Sequence, residues 1–237
     1  MSRFAFQSTN RDAVADFHGL TRLFPLPNVV LFPGVLLPLH IFEPRYRQMV
    51  ADAMSSDRLI TMALLKPGWD ADYDGSPAIH RIGCLGRIIH HEPLPDGRSN
   101  LVLHGLRRVR LEEEMPTGRL YRSALARILN NEDPPDGPDG VKKYRAALLE
   151  SLQEMLDYTG WTEELLLHIV LDDLTYGELC DLASHLVPLD VELKQRLLEE
   201  LDLRMRGAML STALEVEVRF GQLEQKSRAR RIDSSLN

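Results

Sequence analysis

Few of the residues able to do chemistry in this sequence stand at spacings that chemistry uses. The eight histidines (18, 40, 80, 90, 91, 104, 168 and 185) include no i, i+4 pair, so no helix can offer two imidazoles to one zinc ion in the HExxH manner. The best local cluster, His90-His91-Glu92, falls in a strand pattern, where adjacent imidazoles point to opposite faces and cannot chelate one ion together. The only cysteines, Cys84 and Cys180, lack CxxC spacing and read as buried thiols. A phosphate-cradling P-loop needs a glycine followed by lysine, and the chain has no Gly-Lys dipeptide. A G-x-S-x-G elbow needs glycines four apart, and none of the 15 glycines has that spacing. Gly83-x-x-Gly86 sits inside a strand pattern, where glycine marks a bulge or close packing. The sequence therefore predicts a non-enzyme, with no catalytic residue, no metal and no cofactor.

One constellation is left. Phe42, Glu43, Arg45 and Tyr46 combine aromatic rings with opposite charges where a strand meets a helix. Glu43 near a helix N-terminus is favoured by the dipole, and Arg45 can pair with a carboxylate. These four read either as a structural joint or as part of a partner-binding surface, since Phe, Tyr and Arg together supply binding hot spots.

The elements that must position them follow from turn chemistry and hydrophobic period. Leu26 to Phe32 and Val35 to Phe42 predict strands flanking Pro33-Gly34, a pair suited to the centre of a type II turn. Pro44 opens a helix carrying Tyr46, Met49, Val50 and Ala53 on one face and ending near Ser55-Ser56. Further strands are expected at 59–65, 79–90, 100–104, 107–112 and 119–129. From residue 141 the period becomes helical, with helices at 141–158, 162–172, 175–187 and 191–201, then a last one from the Asp202 cap to about Arg228. Thr175-x-x-Glu178 reads as a capping box. On the last helix Met209, Ala213, Val216, Phe220 and Leu223 form a seam, which docks on the chain's own bundle or pairs two copies as a homodimer.

Length and charge set the frame. The 237 residues suit one large domain or two small ones at roughly 150 residues each. Apolar residues make up 44% and charged residues 27%, a globular composition. The most apolar stretch, Leu23 to Phe42, is broken by four prolines and a glycine, so no membrane span is expected. No secretory pattern opens the chain, and a cytoplasmic location is the expectation. The net charge of −7 is uneven: residues 1–129 carry 16 Lys and Arg against 13 Asp and Glu, a balance of +3, and residues 130–237 carry 12 against 22, a balance of −10. The Pro-, Gly- and Asp-rich segment 130–140 reads as a linker between a β-domain at 21–129 and a helical bundle at 141–231. Arg81, Arg87, Arg98, Arg107, Arg108 and Arg110 tint the β-domain basic. That footprint is weak beside an acidic half that repels phosphate, which argues against nucleic acid as the partner.

The segment Phe24-Pro-Leu-Pro-Asn-Val-Val-Leu-Phe-Pro-Gly-Val-Leu-Leu-Pro-Leu39 resembles the opening of the N-terminal domain of Lon proteases. Ile41-Phe-Glu-Pro-Arg-Tyr-Arg47 is similar to the form seen in free-standing Lon-N proteins and in cereblon. Ile82 to Ile89, Leu94 to Gly97, Leu101 to Arg110 and His185 to Leu201 extend the resemblance over about Leu23 to Leu214. It implies an α+β fold: a PUA-like β-domain, or pseudo-barrel, followed by an α-helical bundle with a long C-terminal helix. It also implies a substrate-engaging module without the ATPase motor or the Ser-Lys peptidase of full Lon. The expected function is binding of unfolded or apolar polypeptide segments, or of a protein partner, linked to protein quality control. A PUA-like small-molecule or RNA-binding sensor is the alternative.

Overall fold

A computed structural model of the chain describes residues 14–73, 75–159 and 174–234. They form two compact units: the chain up to Asn131 with Asp181–Leu201, and Glu132–Cys180 with the chain from Asp202. The first is built on strands β1 (Leu20–Leu26), β2 (Leu36–Ile41), β3 (Leu59–Leu64), β4 (Ile82–Pro93), β5 (Ser99–Glu114) and β6 (Ser123–Ile128), with helix α1 (Pro44–Met54) between β2 and β3. The order β2-β5-β4-β3-β1-β6 closes on itself because β5 also pairs β6. One strand can do this because β5 is 16 residues long. Its first half pairs β2 and its second half pairs β6, while β4 runs along most of its length. Register shifts at Leu85/Gly86, Ile88/His90 and Leu111/Glu113 give the ribbon its curl. Inside the ring lie Leu23, Leu59, Ala63, Leu85, Leu106, Val109, Leu111, Ala124 and Ala126. This is the α+β architecture that the resemblance implied.

Two strand expectations are corrected. The apolar run 26–32 is not a strand: β1 lies earlier, and Val30, Leu31 and Phe32 are buried in irregular chain. An apolar run without alternation shows burial and not backbone geometry, and Pro27 withholds a ladder donor within it. The turn itself is as expected, with Gly34 at φ 80° and Val35 N–H donating to the Phe32 carbonyl at 3.2 Å. The two strands expected at 100–104 and 107–112 are one. Gly105 does not break β5; it lets Phe32 pass, since a Cβ there would collide with the Phe32 carbonyl oxygen. Gly83 and Gly86 are likewise close-packed, against Met62 and Leu103.

β2 is the free edge. Gly105 N–H donates to the Val35 carbonyl, and antiparallel alternation from there turns Pro38 away from β5. The edge thus lacks a donor at its middle, a common guard against unwanted strand pairing.

Helix α1 starts as expected, with Pro44 in the first turn, and buries Tyr46, Met49, Val50 and Ala53. It ends in a tight return: Arg58, at φ 61°, donates its N–H to the Ala53 carbonyl.

The sheet unit also takes residues 181–201, which the sequence reading put with the helical bundle. The reason is a set of polar contacts, those of Arg108 and Gln195 buried. The Arg108 guanidinium, 2% exposed, makes two bonds to the Asp181 carboxylate, and its Nε donates to the Leu198 carbonyl at 2.8 Å. Gln195 Nε2 donates to the Ile82 carbonyl at 2.9 Å, and His80 Nδ1 meets Glu199 Oε1 at 3.0 Å. Helix α3 (Tyr176–Leu186) begins in the second unit and ends in the first, followed by α4 (Val191–Glu199). Their expected starts are present: the Thr175/Glu178 box closes reciprocally at 2.9 and 3.3 Å, and Asp190 caps Leu193 N–H at 2.8 Å.

In the second unit α2 (Gly137–Thr159) packs on α5 (Leu203–Ser234). α2 therefore starts inside the expected linker. Leu148, Leu152 and Met155 are buried on α2, and Leu203, Arg206, Leu210 and Leu214 on α5. At the described positions the packed stripe of α5 is thus displaced from the expected seam, with Val216 exposed, whereas the Phe220 and Leu223 side chains lie outside the described residues. Gly207 sets that orientation: a Cβ there would collide with the Tyr176 hydroxyl. The helix expected at 162–172 lies outside the described residues.

Candidate functional site

The four singled-out residues meet where β2 hands over to α1, and the structure divides them. Tyr46, 3% exposed, is a packing residue: its hydroxyl donates to the Pro25 carbonyl at 3.0 Å, and its ring lies 4.3 Å from Phe24. Burial pushes its phenol up, which keeps the donor proton in place. Tyr46 thus supports the joint from below and is unavailable to a partner.

Glu43 and Arg45 bind each other, with Arg45 Nε donating to Glu43 Oε2 at 2.9 Å. Both also reach a residue that sequence reasoning missed. Tyr73 donates its hydroxyl to Glu43 Oε1 at 3.0 Å, and Arg45 donates to the Tyr73 carbonyl at 3.3 Å. The guanidinium lies 4.7 Å from the Tyr46 ring and 4.8 Å from the Tyr73 ring, a cation held between two π faces. Burial and then the Glu43 bond push the Tyr73 phenol up. Trp69 packs edge-on against Tyr73 at 5.5 Å. The 3₁₀ turn Trp69–Asp72 entered from Gly68 at φ 87° places this pair. Tyr73 is 28 residues from Arg45, and no pattern joins them in sequence. The pocket between Arg45, Tyr46, Tyr73 and Arg122 holds about 10 Å³, roughly one water.

Phe42 is the exception, 59% exposed, with His40 stacked on it at 6.2 Å. His40 opens a polar row across the sheet: its Nδ1 meets Asn100 Oδ1 at 2.8 Å, and Asn100 Nδ2 donates to Glu92 Oε2 at 3.2 Å. The same face of β2 carries Pro38, also exposed. The arrangement is thus an exposed aromatic ring on a rim whose other members already hold one another.

The remaining sequence candidates do not converge on a reaction. His90 and His91 occupy successive positions of β4 opposite Val102 and Leu101, and no metal-capable group of side chains occurs among the described residues. Cys84 is buried, and burial pushes its thiol up to about 12, far from a reactive thiolate. The arginines are largely committed: Arg108 to Asp181, Arg87 to the Asp57 carbonyl and Asp16, Arg98 to Asp96. No helix among the described residues is long and apolar enough to cross a membrane.

Comparison with known proteins agrees with this picture. The family model described as the ATP-dependent protease La (LON) substrate-binding domain matches residues 21–216. The chain is 24% identical over 204 residues to the Lon protease of Desulfosudis oleivorans and 26% over 205 residues to that of Dictyoglomus thermophilum. Each alignment takes in 86% of this chain and 25% of the relative, so the chain spans about a quarter of the length of these proteases. Among solved structures, the N-terminal domain of Mycobacterium avium complex Lon protease superposes with a TM-score of 0.64 at 16% identity, over 83% of this chain and 98% of that one. A Lon N-terminal domain protein from Xanthomonas campestris gives 0.55 at 24%, over 81% and 96%. With a match that covers most of its length and a fold shared with these domains, the chain belongs to the LON substrate-binding domain family.

Proposed function

We propose that this protein binds unfolded or apolar polypeptide segments, or an apolar segment of a protein partner, without cleaving them, in the service of protein quality control. The observation that carries the reading is Phe42, an exposed ring beside charged and aromatic groups that are already fixed by Glu43, Arg45 and Tyr73. Binding there immobilises little that is not already immobile, which removes a main cost of association. An exposed aromatic ring stacked on His40, next in sequence to a fixed Glu43–Arg45–Tyr73 cluster, has the make-up of a hot-spot anchor. Membership of a substrate-binding family supports the same reading.

The test is equilibrium binding of a fluorescently labelled, permanently unfolded polypeptide, such as reduced and carboxymethylated α-lactalbumin, to the wild type and to Phe42→Ser. Saturable binding that weakens about tenfold or more in the variant, at unchanged melting temperature, is expected; an absence of binding, or equal binding by both, refutes the reading.

A further inference from the structure

A second surface of the sheet unit lies away from the Phe42 rim in the strand order and goes beyond the reading above. Three of the large apolar side chains exposed among the described residues fall near one another where β1, β6 and the end of β5 meet: Leu20, Met115 and Leu125. Strand register explains the clustering. Leu20 pairs with Leu125, and Leu125 pairs with Glu113, so Leu20, Leu125 and Glu113 form one row across three strands. Met115 N–H donates to the Ser123 carbonyl at 2.8 Å and places Met115 in the next row on the same face. Leu20 is 52% exposed, Leu125 41% and Met115 37%. From Met115 and Ser123 the surface continues into a cleft of about 430 Å³ walled by residues 114–119 and 121–123.

Charge decides what fits. The strand ends in Glu112-Glu113-Glu114. Glu112 pairs with Arg127, and Glu114 pairs with Arg122. Glu113 stands in the apolar row itself and has no ion-pair partner among the described residues. A purely apolar occupant leaves that carboxylate at the edge of the contact, partly stripped of water and unanswered. An occupant with a cation beside its apolar side chains answers it.

We infer that the Leu20–Leu125–Met115 face, with Glu113 at its edge, is a docking surface for an extended apolar polypeptide segment flanked by lysine or arginine. Two peptides test it, each with a central Leu-Phe-Leu-Phe block, one flanked on both sides by two lysines and the other by two glutamates. By fluorescence anisotropy at 50 mM salt, the wild type binds the lysine-flanked peptide about three- to fivefold more tightly, the range of a single exposed ion pair. The preference fades at 0.5 M salt. Glu113→Lys abolishes or reverses it, whereas Glu150→Lys, an exposed change of equal charge on α2, leaves it in place. Leu125→Ser weakens both peptides severalfold. All three positions are exposed, so unchanged melting curves show that folding is not the cause. A preference that survives Glu113→Lys, or that Glu150→Lys removes equally, overturns the inference, as does binding indifferent to Leu125→Ser. Sedimentation that shows a dimer dissolved by Leu125→Ser gives the face to a second copy and overturns it too. Loss of binding in Phe42→Ser alone bears on the first surface and not on this one.

Discussion

Removing Asp181 tests how the sheet unit holds the chain at 181–201. In Asp181→Ala the Arg108 guanidinium, 2% exposed, loses two charge-assisted hydrogen bonds, one of 2.8 Å and one of 2.5 Å. At about 1.5–3 kcal/mol each, they bound the loss at roughly 3–6 kcal/mol. Measured one-sided breaks of buried ion pairs run at about 3–5 kcal/mol. For a chain of this size 1 kcal/mol moves the melting temperature by about 2–4 °C, so the midpoint of the sheet unit falls by roughly 10 °C. Urea unfolding followed by far-UV circular dichroism gives the free energy, and amide exchange in Val191–Glu199 locates it, because Arg108 also grips the Leu198 carbonyl. The double variant Arg108→Met/Asp181→Leu recovers most of the loss, since it removes both members of the buried pair and strands neither. Asp181→Ala within about 1 kcal/mol of wild type, or loss spread evenly over the chain with α4 still protected, refutes the reasoning.

Three further outcomes follow from single positions. Gly207→Ala, which on helix propensity alone would stabilise α5 by about 1 kcal/mol, lowers stability instead, by up to about 2 kcal/mol net, because the new methyl group meets the Tyr176 hydroxyl and overpacking costs about 1–3 kcal/mol; denaturant titration reads the sign directly. Arg58→Gly raises stability by about 0.5–1 kcal/mol, since Arg58 sits at φ 61°, where only glycine is unstrained; the melting temperature reports it. Burial, and then Lys194, push the His185 imidazole down to about 4 from 6.5. The unfolded chain therefore binds the extra proton first, and stability from this residue is full above pH 6.5 and lost as pH falls towards 4, by up to about 3 kcal/mol. His185→Asn flattens that part of the stability profile measured from pH 7 to 4.

What the sequence showed and what it hid divide along the range of the interactions. Caps and turns were legible because their chemistry is local: Thr175 and Glu178, Asp190, Asp202, and Pro33-Gly34 all do what their types predict within four residues. The Leu26–Phe32 run misled because burial alone does not distinguish a strand from a buried irregular segment. Gly105 reads as a break in sequence and is a crossing point in space. The stripe of α5 is turned from the expected seam by Tyr176, a residue 31 positions away from the glycine it touches. At the candidate site, the Glu43–Arg45 pair was legible at a separation of two, whereas Tyr73 and the Leu20–Leu125–Glu113 row exist only through loop placement and strand register. Family membership was legible because it rests on a long ordered series of motifs, which does not require knowing which residues face outward.

The central claim is that the sheet unit engages polypeptide through the rim that Phe42 crowns. Amide hydrogen exchange of the full chain, with and without saturating reduced and carboxymethylated α-lactalbumin, tests it most directly. Slowed exchange at 36–43 and at 69–73, lost in Phe42→Ser, is the result the account predicts. Protection confined to the helices of the second unit, or no change anywhere in the sheet unit while the polypeptide is bound, contradicts it.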